Sequence, residues 1–214
     1  MSLFISFEGI EGAGKSTQIR MIKAYLEQQG ILVRVVREPG GTWLGDQIRT
    51  LLLTPQETHM DHKTELLLYA ASRAQLVEEV IRPSLAKGEL VLCDRYVDSS
   101  IVYQGYGAEG DLREVIQVNQ IATNGLMPQR TYLLDLPLTL SQERLRKRGQ
   151  EKDRMEQKEM EFHRRVREGY LQLANEQPQR IKVIAAQQSP EKVFHEITSD
   201  LMKLLEKNIK TGHR

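Results

Sequence analysis

The residues most ready for chemistry lie near the start of the chain. Gly9-Ile10-Glu11-Gly12-Ala13-Gly14-Lys15-Ser16 fits the spacing Gly-x4-Gly-Lys-Ser/Thr without a mismatch, and Thr17 follows it. Glycines let a backbone bend until successive N–H groups face one centre, and such a concavity suits phosphate oxygens. In this pattern the lysine reaches the outer phosphates of a nucleotide, and the hydroxyl at Ser16 is a ligand for Mg²⁺. Further chemical groups recur at intervals: Glu38 ahead of Pro39-Gly40-Gly41-Thr42, Asp94-Arg95-Tyr96, and a run of cations from Arg144 to Arg154.

These groups need a frame. Leu3 to Phe7 is a short apolar run ended by Glu8-Gly9 and reads as a buried strand. A helix follows from Lys15 to about Gln29, with Ile19, Met21, Ile22, Tyr25 and Leu26 at helical spacing and Gly30 as its stop. Strands are predicted at 31–36, 90–93, 132–134 and 181–184. Helices are predicted at about 45–53, 63–86 (one long rod), 111–123 with Asp111 as N-cap, on either side of the basic stretch 144–154, and from Pro190 onward. Strands alternating with helices imply an α/β fold with a mainly parallel sheet covered on both faces. In such sheets ligands bind beyond the carboxyl ends of the strands. Gly9, Glu38 and Asp94 all fall at those ends.

The ordered set of segments narrows the reading. Phe7-Glu8-Gly9 through Thr17, Glu38 to Thr42, Asp94-Arg95-Tyr96 with Ser99-Ser100 and Tyr103-Gln104-Gly105, and Asp153-Arg154-Met155-Glu156 together resemble the thymidylate kinase family. The likeness runs from Leu3 to about Ala174. It implies a P-loop kinase fold, three-layer α/β/α with a five-stranded parallel sheet and a small helical lid. It also implies phosphoryl transfer from ATP to dTMP with Mg²⁺, and homodimerisation through helices such as 63–86.

The resemblance also implies roles. Asp94 would hold Mg²⁺ with Ser16, directly or through water; without the resemblance it reads as a strand-end acid. Arg95 would grip the acceptor phosphate, with Arg49 as a second clamp. Tyr69 would stack on the base, where relatives often carry Phe; an aromatic among leucines also reads simply as core. Arg73 and Gln104 would read the base edge, since Arg donates to a carbonyl oxygen and the Gln amide both donates and accepts. Ser100 belongs to the same pocket. Tyr103 would close the space beside the sugar C2′. Glu11 would accept from the sugar 3′-hydroxyl, or else is an exposed loop carboxylate. Glu38 would orient the same region, including through Mg²⁺-bound water, and the bond before Pro39 is a candidate cis peptide.

Arg144, Arg146, Lys147, Arg148, Lys152 and Arg154 form a dense cationic segment. Such a run reads either as a solvated helix face or as a lid over ATP. Relatives with glycine at the position of Gly12 take their catalytic arginine from the lid. Arg148 and Arg154 are then the leading candidates, with Arg144 behind them. Adenine contacts are expected from the lid and from the loop near 185–188. The acceptor is an anionic phosphate oxygen, so the chemistry calls for positioning and charge, not for a general base.

Bulk properties set the limits. The 214 residues suit one domain, 1–214, with a lid at about 144–156. The formal charge is +1, so no global field favours nucleic acid or an acidic membrane. Cys93 is the single cysteine and lies in an apolar run, which excludes an internal disulfide and fits a reducing, cytoplasmic setting. The five histidines have no metal-ligand spacing. No apolar run reaches the length of a membrane span, and the first one leads straight into the glycine-rich motif rather than to a cleavage site. The nearest rival reading is another nucleotide or deoxynucleoside kinase acting on dUMP, dCMP or a nucleoside. A nucleotide-dependent switch or binding module is the rival from another class; the Asn-Lys-x-Asp signature of a GTPase is absent.

Overall fold

The computed structural model describes residues 3–55, 60–149, 151 and 153–211. Five strands form one parallel sheet: β1 (Phe4–Glu8), β2 (Val33–Arg37), β3 (Leu90–Asp94), β4 (Arg130–Asp135) and β5 (Ile181–Ala185). Their order is β2-β3-β1-β4-β5. β1 is therefore the middle strand, and all five of its residues are buried. That explains its unbroken apolar run, because a central parallel strand is covered on both faces. Edge strand β2 alternates more freely with solvent. Register is fixed by pairs such as Ile5 with Leu92, Ser6 with Thr131, and Val36 with Cys93.

Helices cover both faces, giving three α/β/α layers. α1 (Lys15–Gln28) packs against α9 (Pro190–Thr211) through Ile19, Ile22 and Leu26 on one side and Val193, Ile197 and Leu201 on the other. α2 (Trp43–Leu53) packs on α3 (His62–Leu76), and α3 on α6 (Leu112–Thr123). The Asp111 carboxylate caps α6 by accepting from the N–H groups of Arg113 and Glu114, as its sequence position predicts.

Three expectations need correction. The rod predicted at 63–86 is not uniform. A π-helical turn, Val77–Ile81, separates α3 from α4 (Arg82–Ala86). Pro83 has no N–H to give to the carbonyl one turn back, and the Arg82 N–H reaches Val77 O, five residues back. The stretch 97–107, for which no helix is predicted, is helical: α5 (Val97–Ser100) runs into a second π-helical segment, Ile101–Gly107. Its glycines argue against a helix locally, but tertiary packing requires them. A Cβ on Gly107 would lie 2.7 Å from the Val166 side chain, and one on Gly105 would lie 2.5 Å from Leu112. Finally, Arg144 to Arg148 do not separate two helices. They form the last turns of α7 (Leu138–Arg148), which Gly149 closes in a left-handed conformation. Beyond it, residues 154–158 are turns that lead to α8 (Met160–Glu176), while Gln150 and Lys152 lie outside the described residues.

Candidate active site

The glycine-rich loop leaves β1 at Glu8 and enters α1 at Lys15. Gly9 has φ 135°, and a Cβ there would meet the Leu134 carbonyl oxygen at 2.5 Å. Gly12 and Gly14 are also at positive φ. Gly14 is the N-cap of α1, and no side chain caps that helix, so its first N–H groups stay available for an anion. Lys15 Nζ donates to Gly9 O at 2.9 Å and Ile10 O at 3.2 Å. Burial and the nearby Arg95 push the Lys15 ammonium down to about 8, although Asp94, Glu11 and Glu8 favour its charge. Ser16 Oγ donates to Asp94 Oδ2 at 2.9 Å, which joins the start of α1 to the end of β3. Ile10 and Ala13 are buried and anchor the loop in the core.

Facing the loop is Arg95. Its backbone is left-handed, φ 70°, an uncommon state for a side chain with a Cβ. Both neighbouring peptides are pinned. The Arg95 N–H reaches Phe7 O at 3.0 Å, and the Tyr96 N–H reaches Glu8 Oε1 at 2.7 Å. The guanidinium is equally fixed: it donates to Glu11 Oε1 at 2.9 Å, Ser99 Oγ at 3.2 Å and Tyr170 Oη at 3.3 Å, and lies over the Tyr103 ring. Ser99 and Tyr170 hydroxyls in turn donate to Glu8 Oε2 at 2.6 and 2.8 Å. One buried carboxylate thus sets both the backbone and the side chain of Arg95. Burial, reinforced by Asp98, pushes the Glu8 carboxyl up to about 7, against the pull of Ser99, Arg95 and Tyr170. Burial opposes the charge on Glu11 as well, but Arg95, Lys15 and the Tyr103 hydroxyl outweigh it and hold that carboxyl below its ordinary value.

A cavity of about 370 Å³ opens between these groups. Its wall holds Glu11, Gly12, Lys15, Ser16 and Asp94 on the loop side. The same lining includes Glu38, Arg49, Tyr69, Arg73, Arg95, Ser100, Tyr103, Gln104 and Arg148. The structure therefore brings together every acceptor-side residue singled out from the sequence. Arg73 is almost wholly buried and ion-paired with Glu38 at 2.6 Å, and it also donates to Asn119 Oδ1. Arg49 donates to Pro39 O at 2.9 Å, next to the cis Glu38–Pro39 bond. Burial lifts the Tyr69 phenol well above its usual range.

Other residues lie off the wall. Gly9, Ile10, Ala13, Gly14 and Thr17 shape the loop but do not line the cavity. Arg154 turns away, donating to Leu52 O at 2.6 Å and pairing with Glu65. Arg144 donates to Gly12 O and Ala186 O, so it braces the loop rather than pointing into the space. Arg148 is held by Glu156 at 2.7 Å. Sequence reasoning missed Glu8, Ser99, Glu65 and Tyr170. Glu8 and Ser99 were visible only as members of the segments Phe7-Glu8-Gly9 and Ser99-Ser100, and Glu65 and Tyr170 left no trace.

The thymidylate kinase family model matches residues 7–197. The chain belongs to the thymidylate kinase family. It is 50% identical over 212 residues to a thymidylate kinase of Syntrophotalea carbinolica, a match covering 95% of this chain and 98% of that one. It is 48% identical over 204 residues to a thymidylate kinase of Exiguobacterium sibiricum, covering 95% and 96%. The crystal structure of a thymidylate kinase from Ehrlichia chaffeensis superposes with a TM-score of 0.76 at 35% identity, covering 94% of this chain and 98% of that one. The cavity lining gathers Lys15, Arg49, Arg95 and Arg148 beside the glycine-rich loop.

The raised Glu8 carboxyl makes stability depend on pH. Its folded value, about 7, exceeds its ordinary 4.5. The folded protein therefore holds this proton more tightly, and the stabilisation present below 4.5 is lost as pH rises through about 7. Between about pH 5 and pH 8, wild-type unfolding free energy is expected to fall relative to Glu8→Gln by on the order of 2–3 kcal/mol. Urea unfolding across that range measures it; parallel pH curves for the two proteins would contradict the assignment.

Proposed function

We propose that this chain transfers the terminal phosphoryl group of ATP to the phosphate of dTMP, yielding dTDP and ADP with Mg²⁺. The observation that carries the reading is the shared cavity, whose lining holds both Lys15 and Arg95. The loop amides and Lys15 hold the donor phosphates. Ser16 Oγ and Asp94 Oδ2 are oxygen donors 2.9 Å apart, the kind of ligand Mg²⁺ takes, and they would hold the ion. When bound, Mg²⁺ neutralises charge on the nucleotide phosphates. Among the described residues no group of three or more His, Cys, Asp or Glu could form a protein-only metal cage. That fits an ion shared with a nucleotide.

On the acceptor wall, Arg95 and Arg49 grip the dTMP phosphate, and the fixed position of Arg95 means little reorganisation during transfer. Tyr69 offers a face for the base, while Arg73, Ser100 and Gln104 meet its edge. Tyr103 and Glu11, hydrogen-bonded to each other at 2.5 Å, border the sugar. No general base is required, because the attacking phosphate oxygen is already anionic. Arg148, the lid cation in the cavity lining, supplies charge to the group in flight; Arg154, turned toward Glu65, supports the lid instead. We read the chain as a single domain whose segment 144–156 is the lid, working in the cytoplasm as a homodimer. In keeping with this, no helix of the described residues is long and apolar enough to cross a membrane.

Two outcomes test the reading. Coupled turnover with ATP and dTMP is expected to fall at least about 100-fold in Lys15→Ala while the circular dichroism spectrum stays native; near-normal turnover would refute the role of Lys15. Arg148→Ala is expected to lower kcat by on the order of 100-fold, leaving KM for dTMP within about threefold, with a smaller loss for Arg154→Ala. Equal losses in the two variants would remove the distinction drawn here.

A further inference from the structure

Gln104 lines the cavity, and a Gln amide taken alone is ambiguous. It presents either an acceptor oxygen or a donor NH2 to a ligand. Its surroundings remove that ambiguity. Gln104 is 1% exposed, and its Nε2 donates to Glu65 Oε1 at 2.8 Å. Glu65, in the first turn of α3, is 7% exposed, and its other oxygen stands 2.6 Å from Arg154 Nη2. A carboxylate paired with a guanidinium only accepts. It therefore takes the NH2 side of the Gln104 amide and leaves the oxygen for whatever occupies the cavity. The orientation of the amide is dictated by chemistry.

We propose that Glu65 is the positioning residue that locks the Gln104 amide with its oxygen toward the base, so that the site accepts 4-oxopyrimidines carrying a hydrogen on N3 and rejects cytosine. Thymine and uracil present an N3–H donor to that oxygen. Cytosine presents a bare N3 lone pair, and two acceptors then face each other in a buried site. Arg73, donor-only and also on the wall, adds discrimination of the same sign, since it suits the O4 acceptor of thymine and not the N4 amino group of cytosine. Glu65 touches no substrate and acts through Gln104. This rests on the dTMP kinase reading above and deepens it, by separating the methyl preference from the N3 preference. Because Arg154 belongs to the proposed lid segment, the same carboxylate also ties that segment to the base-reading amide.

Glu65→Gln is the test. Arg154 is donor-only, so it takes the new amide oxygen. The new NH2 then faces Gln104 and turns the Gln104 oxygen away from the base. The wild type and the variant are assayed with ATP and each of dTMP, dUMP and dCMP. The ratio of kcat/KM for dTMP over dCMP is expected to fall at least about tenfold in the variant, while the ratio for dTMP over dUMP stays within about twofold. A residue with a merely structural role would lower all three substrates together and leave both ratios unchanged; that result overturns the proposal. Should Glu65→Gln fold poorly, the neutral double variant Glu65→Gln/Arg154→Leu frees both amides to turn. Its dTMP/dCMP ratio, taken within one protein, is likewise expected to fall, and an unchanged ratio counts against the proposal. If the wild type prefers dTMP over dCMP and the variants keep that preference, only the role of Glu65 fails. If the wild type does not phosphorylate dTMP, the functional reading fails and this inference falls with it.

Discussion

The constraint behind this molecule is Coulombic. Two phosphate-bearing molecules must approach closely, and cations have to be in position before either arrives. Arg95 meets that constraint with a side chain held from four directions and a backbone in a conformation that side chains with a Cβ rarely adopt. The strain is tolerated because Phe7 O and Glu8 Oε1 fix the peptides on both sides. Glu8 ends the middle strand of the sheet, so the cation is referenced to the most rigid part of the fold. Asp94 ends the neighbouring strand β3 and carries the Ser16 contact. The glycine-rich loop and Arg95 thus follow the carboxyl ends of adjacent strands, and the sheet sets their separation.

Helix α7 is tied into the same frame. Ser141 Oγ donates to Glu11 O at 2.7 Å, and Arg144 donates to Gly12 O at 3.1 Å. The helix carrying Arg148 is therefore bonded to the phosphate loop through the loop's own carbonyls. This accounts for Gly12: a Cβ there would lie 3.3 Å from Ser141 O. The cationic run splits accordingly, with Arg144 serving the loop, Arg148 the cavity and Arg154 the contact with Glu65.

Much of this was legible in the sequence, for local reasons. The phosphate loop announces itself through glycines, a lysine and a hydroxyl at fixed spacing between a strand and a helix. Apolar runs located all five strands, and Asp111 marked its helix. What was not legible depends on distant partners. Tyr170 reaches Glu8 across 162 positions, and Gln104 reaches Glu65 across 39. No pattern within one element encodes such pairs. The helical stretch 97–107 was hidden by glycines that look like breakers in isolation, yet they are needed for contact with Val166 and Leu112. The π-helical turn at 77–81 was foreshadowed only by Pro83.

The most direct test of the account is steady-state turnover of Arg95→Lys with ATP and dTMP. Lysine keeps the charge but loses the planar fork that meets Glu11, Ser99 and Tyr170 at once. A fall in kcat of at least about 100-fold is expected, with KM for ATP within about threefold of wild type. A kcat within about twofold of wild type would show that a pre-fixed guanidinium is not what brings the two phosphates together.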